Sequence, residues 1–261
     1  MHKRAKRNVV NGWSQAAVRR HTQWLWSVNT DRLDGFGYAV TLTMKDCPED
    51  SSRFHALRRS YQKRIERMGA TRVHWVIEWQ RRGVPHMHLA VYFADELTPA
   101  QKFLLKSHWL AVAEPYRVSA DAQYVLPITG PTGWLQYLSK HAARGAAHYQ
   151  RSGAPAGWEK TGRLWGHTGE WPVEPPLTFD IPDQAYFRYR RLARSWRIAD
   201  ARAEKDPDTR RRRIASARRM LACNDRKLST VRGVSEWMPQ RVTIGFMDLL
   251  SRDGFHIRQT D

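Results

Sequence analysis

Two histidines one residue apart, His86 and His88, lie in the run VPHMHLAVYF at 84–93. Strand side chains alternate, so both imidazoles share one face while Met87, Leu89, Val91 and Phe93 take the other. The preceding run TRVHWVIEWQ (71–80) carries Trp75, Ile77 and Trp79 at one parity, which puts Glu78 on the opposite face. A three-residue loop at 81–83, with Gly83 in the left-handed position, sets a register in which Glu78 faces His86. Two imidazoles and one carboxylate then converge on a sheet surface. Such a nitrogen–oxygen set suits a divalent cation with open positions. The same residues also fit the polar positions of an ordinary exposed strand. A second group, Tyr137, Lys140 and His141, is spaced i, i+3, i+4 and shares one helix face. Leu135, Leu138 and Ala142 form a separate stripe that can pack inward. Tyr137 also reads as a half-buried aromatic and Lys140 as a solvated charge.

These residues need a scaffold. Residues 36–45 (FGYAVTLTMK) alternate as a strand. Residues 50–69 read as a helix capped by Asp50 or Ser51, closed by Gly69 and striped with Phe54, Leu57, Tyr61 and Ile65. Strands follow at 71–80 and 84–93, a helix at 98–114 entered through Pro99, a strand at 121–128 and a helix at 131–144. The order β-α-β-β-α-β-α is that of a ferredoxin-like, RRM-like α+β fold: an antiparallel sheet with helices on one face. Four regions result: a basic N-terminal arm (1–35), the sheet domain (36–150), an irregular Gly/Pro/Trp-rich segment (151–182) and a basic helical C-terminal region (183–261).

The chain has 261 residues and a formal charge of +19, with 44 Lys and Arg against 25 Asp and Glu. A surplus that large points to a polyanionic partner. Arg188, Arg190, Arg191, Arg194, Arg197 and the run Arg210, Arg211, Arg212, Arg213 are the candidate DNA contacts. Tyr186, Phe187, Tyr189 and Trp196 interleave them as stacking platforms or as a helical core. No run of 18 apolar residues occurs, so a membrane span is not expected. The N-terminus lacks an apolar signal core, and Cys47 and Cys223 are too few for a disulfide framework or a Cys-built zinc site. A cytoplasmic protein is expected.

Several segments together resemble the HUH endonuclease superfamily. PHMHL resembles its His-hydrophobic-His motif, and YAVTLTMK its first motif. Tyr137-Leu-Ser-Lys140 is similar to the Tyr-x-x-Lys of rolling-circle replication initiators (Rep proteins) of plasmids and phages. Glu78 matches the acidic third ligand of the single-tyrosine members, and GRLWG (162–166) resembles a later segment of some bacterial initiators. The resemblance covers about residues 36–145. Tyr149 lies twelve residues beyond Tyr137, past the break at Gly145, so the one-tyrosine type is implied. No GxxxxGK[ST] occurs, so a host helicase, with a host polymerase, is the expected partner.

The resemblance implies a sequence-specific single-stranded DNA endonuclease and strand transferase acting at a replication origin. Tyr137 would attack the scissile phosphodiester and form a 5′-phosphotyrosine link. Mg²⁺ or Mn²⁺ held by Glu78, His86 and His88 would relieve charge on the phosphate, and Lys140 would stabilise the phenolate or the phosphate. Two alternatives stay open: a relaxase or single-strand transposase of the same superfamily, and a non-enzymatic single-stranded nucleic-acid binder. An RRM-like binder favours aromatics on its central strands, whereas this chain presents Thr41, Thr43, Glu78, His86 and His88 there.

Overall fold

Period-2 burial organises the first part of the chain. Tyr38, Val40, Leu42, Val73, Trp75, Ile77, Trp79, Met87, Leu89, Val91 and Phe93 are buried together on one sheet face. The computed structural model describes residues 12–129, 133, 134, 137, 141, 144–175, 177–219 and 238–260. The chain divides into two compact units at Glu174 and Pro175.

In the first unit, β1 (Phe36–Leu42), β2 (Ala70–Trp79), β3 (Pro85–Phe93), β4 (Tyr124–Ile128) and β5 (Trp165–Thr168) form one sheet in the order β4-β1-β3-β2-β5. The pairings are antiparallel. The first four strands have the expected ferredoxin-like α+β topology. The fifth comes from the segment read as irregular, where Trp165–Thr168 extends the sheet past β2. Helix α2 (Ser51–Arg67) starts at Asp50, whose side chain accepts the Arg53 amide at 2.8 Å. It buries the expected stripe Phe54, Leu57, Tyr61 and Ile65. Helix α3 (Pro99–Val112) starts with a capping box between Thr98 and Gln101 and buries Leu105 and Trp109. Both helices pack on the same sheet face.

The other face is not bare. Helix α1 (Gln15–Ser27), read as part of a basic arm, sends Leu25 into a second cluster with Ala90, Tyr92, Ile128, Trp134, Tyr137 and Trp171. The described residues Gly133, Trp134, Tyr137 and His141 are helical. The helical layer expected on one face is therefore joined by helical residues on the other. All nine residues of β3 are buried in consequence.

In the second unit, α4 (Asp183–Arg202), α5 (Pro207–Arg219) and α6 (Gln240–Arg252) accompany a two-stranded ribbon, β6 (Thr178–Asp180) with β7 (Arg258–Thr260). Ala185, Tyr189, Ala193, Met238, Met247 and Leu250 form its core. The apolar run Val242–Leu250 lies within α6. No helix among the described residues is long and apolar enough to cross a membrane.

Candidate active site

The β2–β3 hairpin sets the site. Its turn uses Gly83 at φ +77°, and its register places Glu78 opposite His86. His88 is two residues along the same face. All three side chains are buried, with one ligand atom from each within 4.8 Å of the others. The Nε2 atoms of His86 and His88 are 3.0 Å apart. Glu78 Oε2 lies 3.8 Å from His88 Nε2 and 4.0 Å from His86 Nε2. Across β1, Thr41 Oγ1 is 2.9 Å from His88 Nδ1, so Nε2 is the nitrogen turned to the centre. That outer contact orients the ring and selects its tautomer. The cluster is able to hold a metal: it offers two imidazole nitrogens and a carboxylate oxygen converging on one point.

Two arginines balance the buried carboxylate. Arg151 Nε donates to Glu78 Oε1 at 3.1 Å, and Arg144 Nη1 donates to Oε2. Arg151 is wholly buried, stacked on Trp13 with its guanidinium carbon 4.1 Å from the ring centre. Its Nη2 donates to the His141 carbonyl at 2.6 Å and its Nη1 to that of Arg144. Arg151 thus joins the strand carrying Glu78 to backbone carbonyls beyond Tyr137. Burial of a lone carboxylate costs several kcal/mol, so these cations are what let Glu78 stay ionised here. Arg144 keeps 15% of its side chain exposed and holds the oxygen that faces the imidazoles.

Tyr137 stands next to this centre. Its ring is 4.8 Å from that of His141, which is 4.9 Å from that of His88. His141 Nδ1 is 3.8 Å from Glu78 Oε2. The Tyr137 hydroxyl is 3.0 Å from His74 Nδ1, and His74 Nε2 is 3.0 Å from His21 Nε2. Trp24 stacks on His74 with ring centres 4.8 Å apart. Burial pushes the His74 imidazole down to about 3, with His167 adding to the effect. Burial, then His74 and Arg151, hold His21 well below its usual range. Burial, then Glu78 and Tyr92, push the Tyr137 phenol well above 10. At neutral pH this row is an uncharged phenol on uncharged imidazoles.

His74 has the parity of Glu78 on β2, four residues earlier, so strand alternation alone places it on this face. Arg144 follows His141 by three positions. Arg151 sits in a turn after the helix and had no periodic signal. Lys140 lies outside the described residues.

The arginines of the second unit divide into two groups. Arg190 is buried with its guanidinium carbon 5.8 Å from the centre of the Phe187 ring, which corrects its reading as a phosphate contact. Tyr189 joins the unit's core. Arg188 pairs with Asp253 at 3.2 Å, Arg211 with Asp208 at 3.1 Å, and Arg213 with Asp200 and Glu204. Arg210 donates to the Glu204 carbonyl at 3.2 Å. Arg194 and Arg197 are half-buried. Arg191, Arg211 and Arg212 present exposed side chains.

A family model described as replication-associated protein ORF2 matches residues 37–149, which span this site. Over 265 residues the chain is 46% identical to a protein of Xylella fastidiosa (strain 9a5c) provisionally named a replication protein, covering 98% of this chain and 92% of that one. A similarly named protein of strain Temecula1 is 46% identical over 245 residues, covering 90% and 91%. A replication-associated protein of Pseudomonas phage Pf3 is 42% identical over 255 residues, covering 97% and 90%. No solved structure matches.

Proposed function

This chain belongs to the ORF2 family of replication-associated proteins, and from that premise we propose that it is a single-tyrosine HUH-type DNA nickase and strand transferase that starts rolling-circle replication. The observation that carries the reading is the convergence of Glu78, His86 and His88 on the sheet face that also bears Tyr137. A relaxase or single-strand transposase would share this chemistry. The replication names of its relatives favour the initiator.

In the proposed reaction the Tyr137 oxygen bonds to the scissile phosphorus and the 3′-oxygen leaves. The phenol gives up a proton and the 3′-oxygen gains one, so a 5′-phosphotyrosine and a free 3′-hydroxyl result. The exchange conserves the phosphodiester, so a later 3′-hydroxyl can reverse it and close a strand. Mg²⁺ or Mn²⁺ bound by Glu78, His86 and His88 supplies Lewis-acid relief of charge on the phosphate. Thr41 orients His88, and Arg151 holds Glu78 ionised. Lys140 is assigned to stabilise the phenolate or the phosphate. His74 holds the phenol through its hydroxyl, and at about 3 it is too weak a base to keep the proton. The exposed Arg191, Arg211 and Arg212 are the arginines best suited to meet DNA phosphates. A host helicase and polymerase complete the process.

The test is a covalent-adduct assay on labelled single strands tiled across the replicon, with Mn²⁺ or EDTA, resolved on a denaturing gel. A metal-dependent adduct is expected, absent in Tyr137→Phe while DNA binding persists. Binding without adduct on every strand would leave a non-enzymatic binder.

A further inference from the structure

The segment GRLWG (162–166) is not used by the chemistry above, yet its residues are tightly placed. A Cβ on Gly162 would come within 2.8 Å of His55 Nε2, and one on Gly166 within 2.7 Å of the Trp75 ring. The Leu164 carbonyl accepts the Ile77 amide at 2.7 Å, and the Leu164 side chain is buried in the core. Trp165 lies beside His21, with ring centres 4.9 Å apart. Four of the five residues therefore fix the backbone against α2 and β2. The fifth, Arg163, is exposed and lines a cavity of about 650 Å³ between α2 and the β5 edge.

That cavity gathers like charge. Arg58, Arg59 and Lys63 line it from α2, and Glu66 is its one acid. The Arg58 guanidinium lies over the Trp75 ring at 4.2 Å, and its Nε is buried with no hydrogen-bond partner among the described residues. Burial, then Arg59 and Arg163, push Arg58 down to about 10. Crowded cations with an unsatisfied donor call for an anion. Trp75 is 3% exposed and covered by Arg58, so no aromatic face is open to stack a base. The cavity offers charge without base readout, which is the chemistry of backbone recognition.

We propose that this cavity binds phosphates of a DNA strand, with Arg163 and Arg59 as contacts, at a site separate from the Glu78, His86 and His88 centre. Trp75, which floors the cavity, points to the α2 face of the sheet, and Glu78 points to the other. The inference rests on the DNA-partner reading above but not on its catalytic step.

The test measures affinity of the full chain for a fluorescein-labelled 40-nucleotide oligo(dT) by anisotropy across a chloride series. The double variant Arg59→Ala/Arg163→Ala removes two exposed side chains, and Arg241→Ala/Arg252→Ala removes equal charge from the other unit. Each single-strand phosphate contact contributes about 0.7 to the slope of log affinity against log salt. The cavity variant is expected to lower the slope by about 1.4, and more than the control pair does. A change no larger than the control's would overturn the inference, as would a wild type that does not bind oligo(dT). Inorganic phosphate, titrated by calorimetry, separates the sources. Saturable phosphate binding lost in the cavity variant, with an unchanged DNA slope, would make this a free-anion site and overturn the DNA assignment. Wild type that binds oligo(dT) yet forms no adduct on any replicon strand counts against the catalytic reading alone.

Discussion

The row Tyr137–His74–His21 makes the first unit labile to acid in a calculable way. His74 is fully buried, with Trp24 stacked on it and His21, His167 and Tyr137 as its titratable neighbours. Its folded value of about 3 lies below the unfolded 6.5, so the native state binds fewer protons than the unfolded one. The stabilisation is fully present above pH 6.5 and is lost as pH falls below it. The whole gap corresponds to about 5 kcal/mol, and by pH 5 about 2 kcal/mol is gone. The perturbation is a pH shift from 7.5 to 5 applied to wild type and to His74→Gln, which keeps a polar side chain but cannot titrate. Denaturant melts followed by tryptophan fluorescence report mainly on the first unit, which holds ten of the 12 tryptophans. Carboxylates common to both proteins cancel. Wild type is expected to lose about 2 kcal/mol more than His74→Gln. Equal losses would refute the burial of a neutral imidazole at this position.

Other changes separate the parts of the metal cluster. Arg144→Met removes the cation on the Glu78 oxygen that faces the imidazoles, so Mn²⁺ binding read by calorimetry is expected to tighten about tenfold, roughly 1.4 kcal/mol. Arg151→Met leaves that carboxylate without its fully buried partner and is expected to destabilise the fold by about 3–5 kcal/mol in a denaturant melt. Thr41→Val, which takes away the outer partner of His88, is expected to weaken Mn²⁺ binding by about 10–100-fold with little change in stability.

The hairpin was legible because its signal is local. Parity sorted Trp75, Ile77 and Trp79 from Glu78, and a three-residue turn then paired Glu78 with His86, as found. The order of the first four strands and the stripe of α2 were legible for the same reason. What escaped depends on long-range closure. Trp165–Thr168 is too short to alternate convincingly, and it becomes a strand because the edge of β2 has donors and acceptors to satisfy. Arg151 acquires its role only when Trp13 and Glu78, far apart in sequence, are brought to it. Arg190 looked like one more cation in a basic helix, and packing against Phe187 withdraws it from the surface.

Tyr137 poses the sharper question of what His74 does to a nucleophile. Two constraints act on the same hydroxyl. Burial keeps the phenol protonated, and the bond to His74 turns the oxygen toward β2, whereas the metal cluster is reached through His141 on the other side. A base held at about 3 cannot draw off a phenolic proton, so the pair stabilises the resting phenol and not the attacking phenolate. Removing the bond should then favour attack. His74→Leu is expected to raise the single-turnover rate of adduct formation on a cognate strand, by up to about tenfold, the worth of one buried hydrogen bond. His74→Gln, which keeps a partner for the hydroxyl, should stay near wild type. A fall of about 10²–10⁴-fold in His74→Leu, the usual cost of losing a general base, would show that the imidazole takes the proton after all.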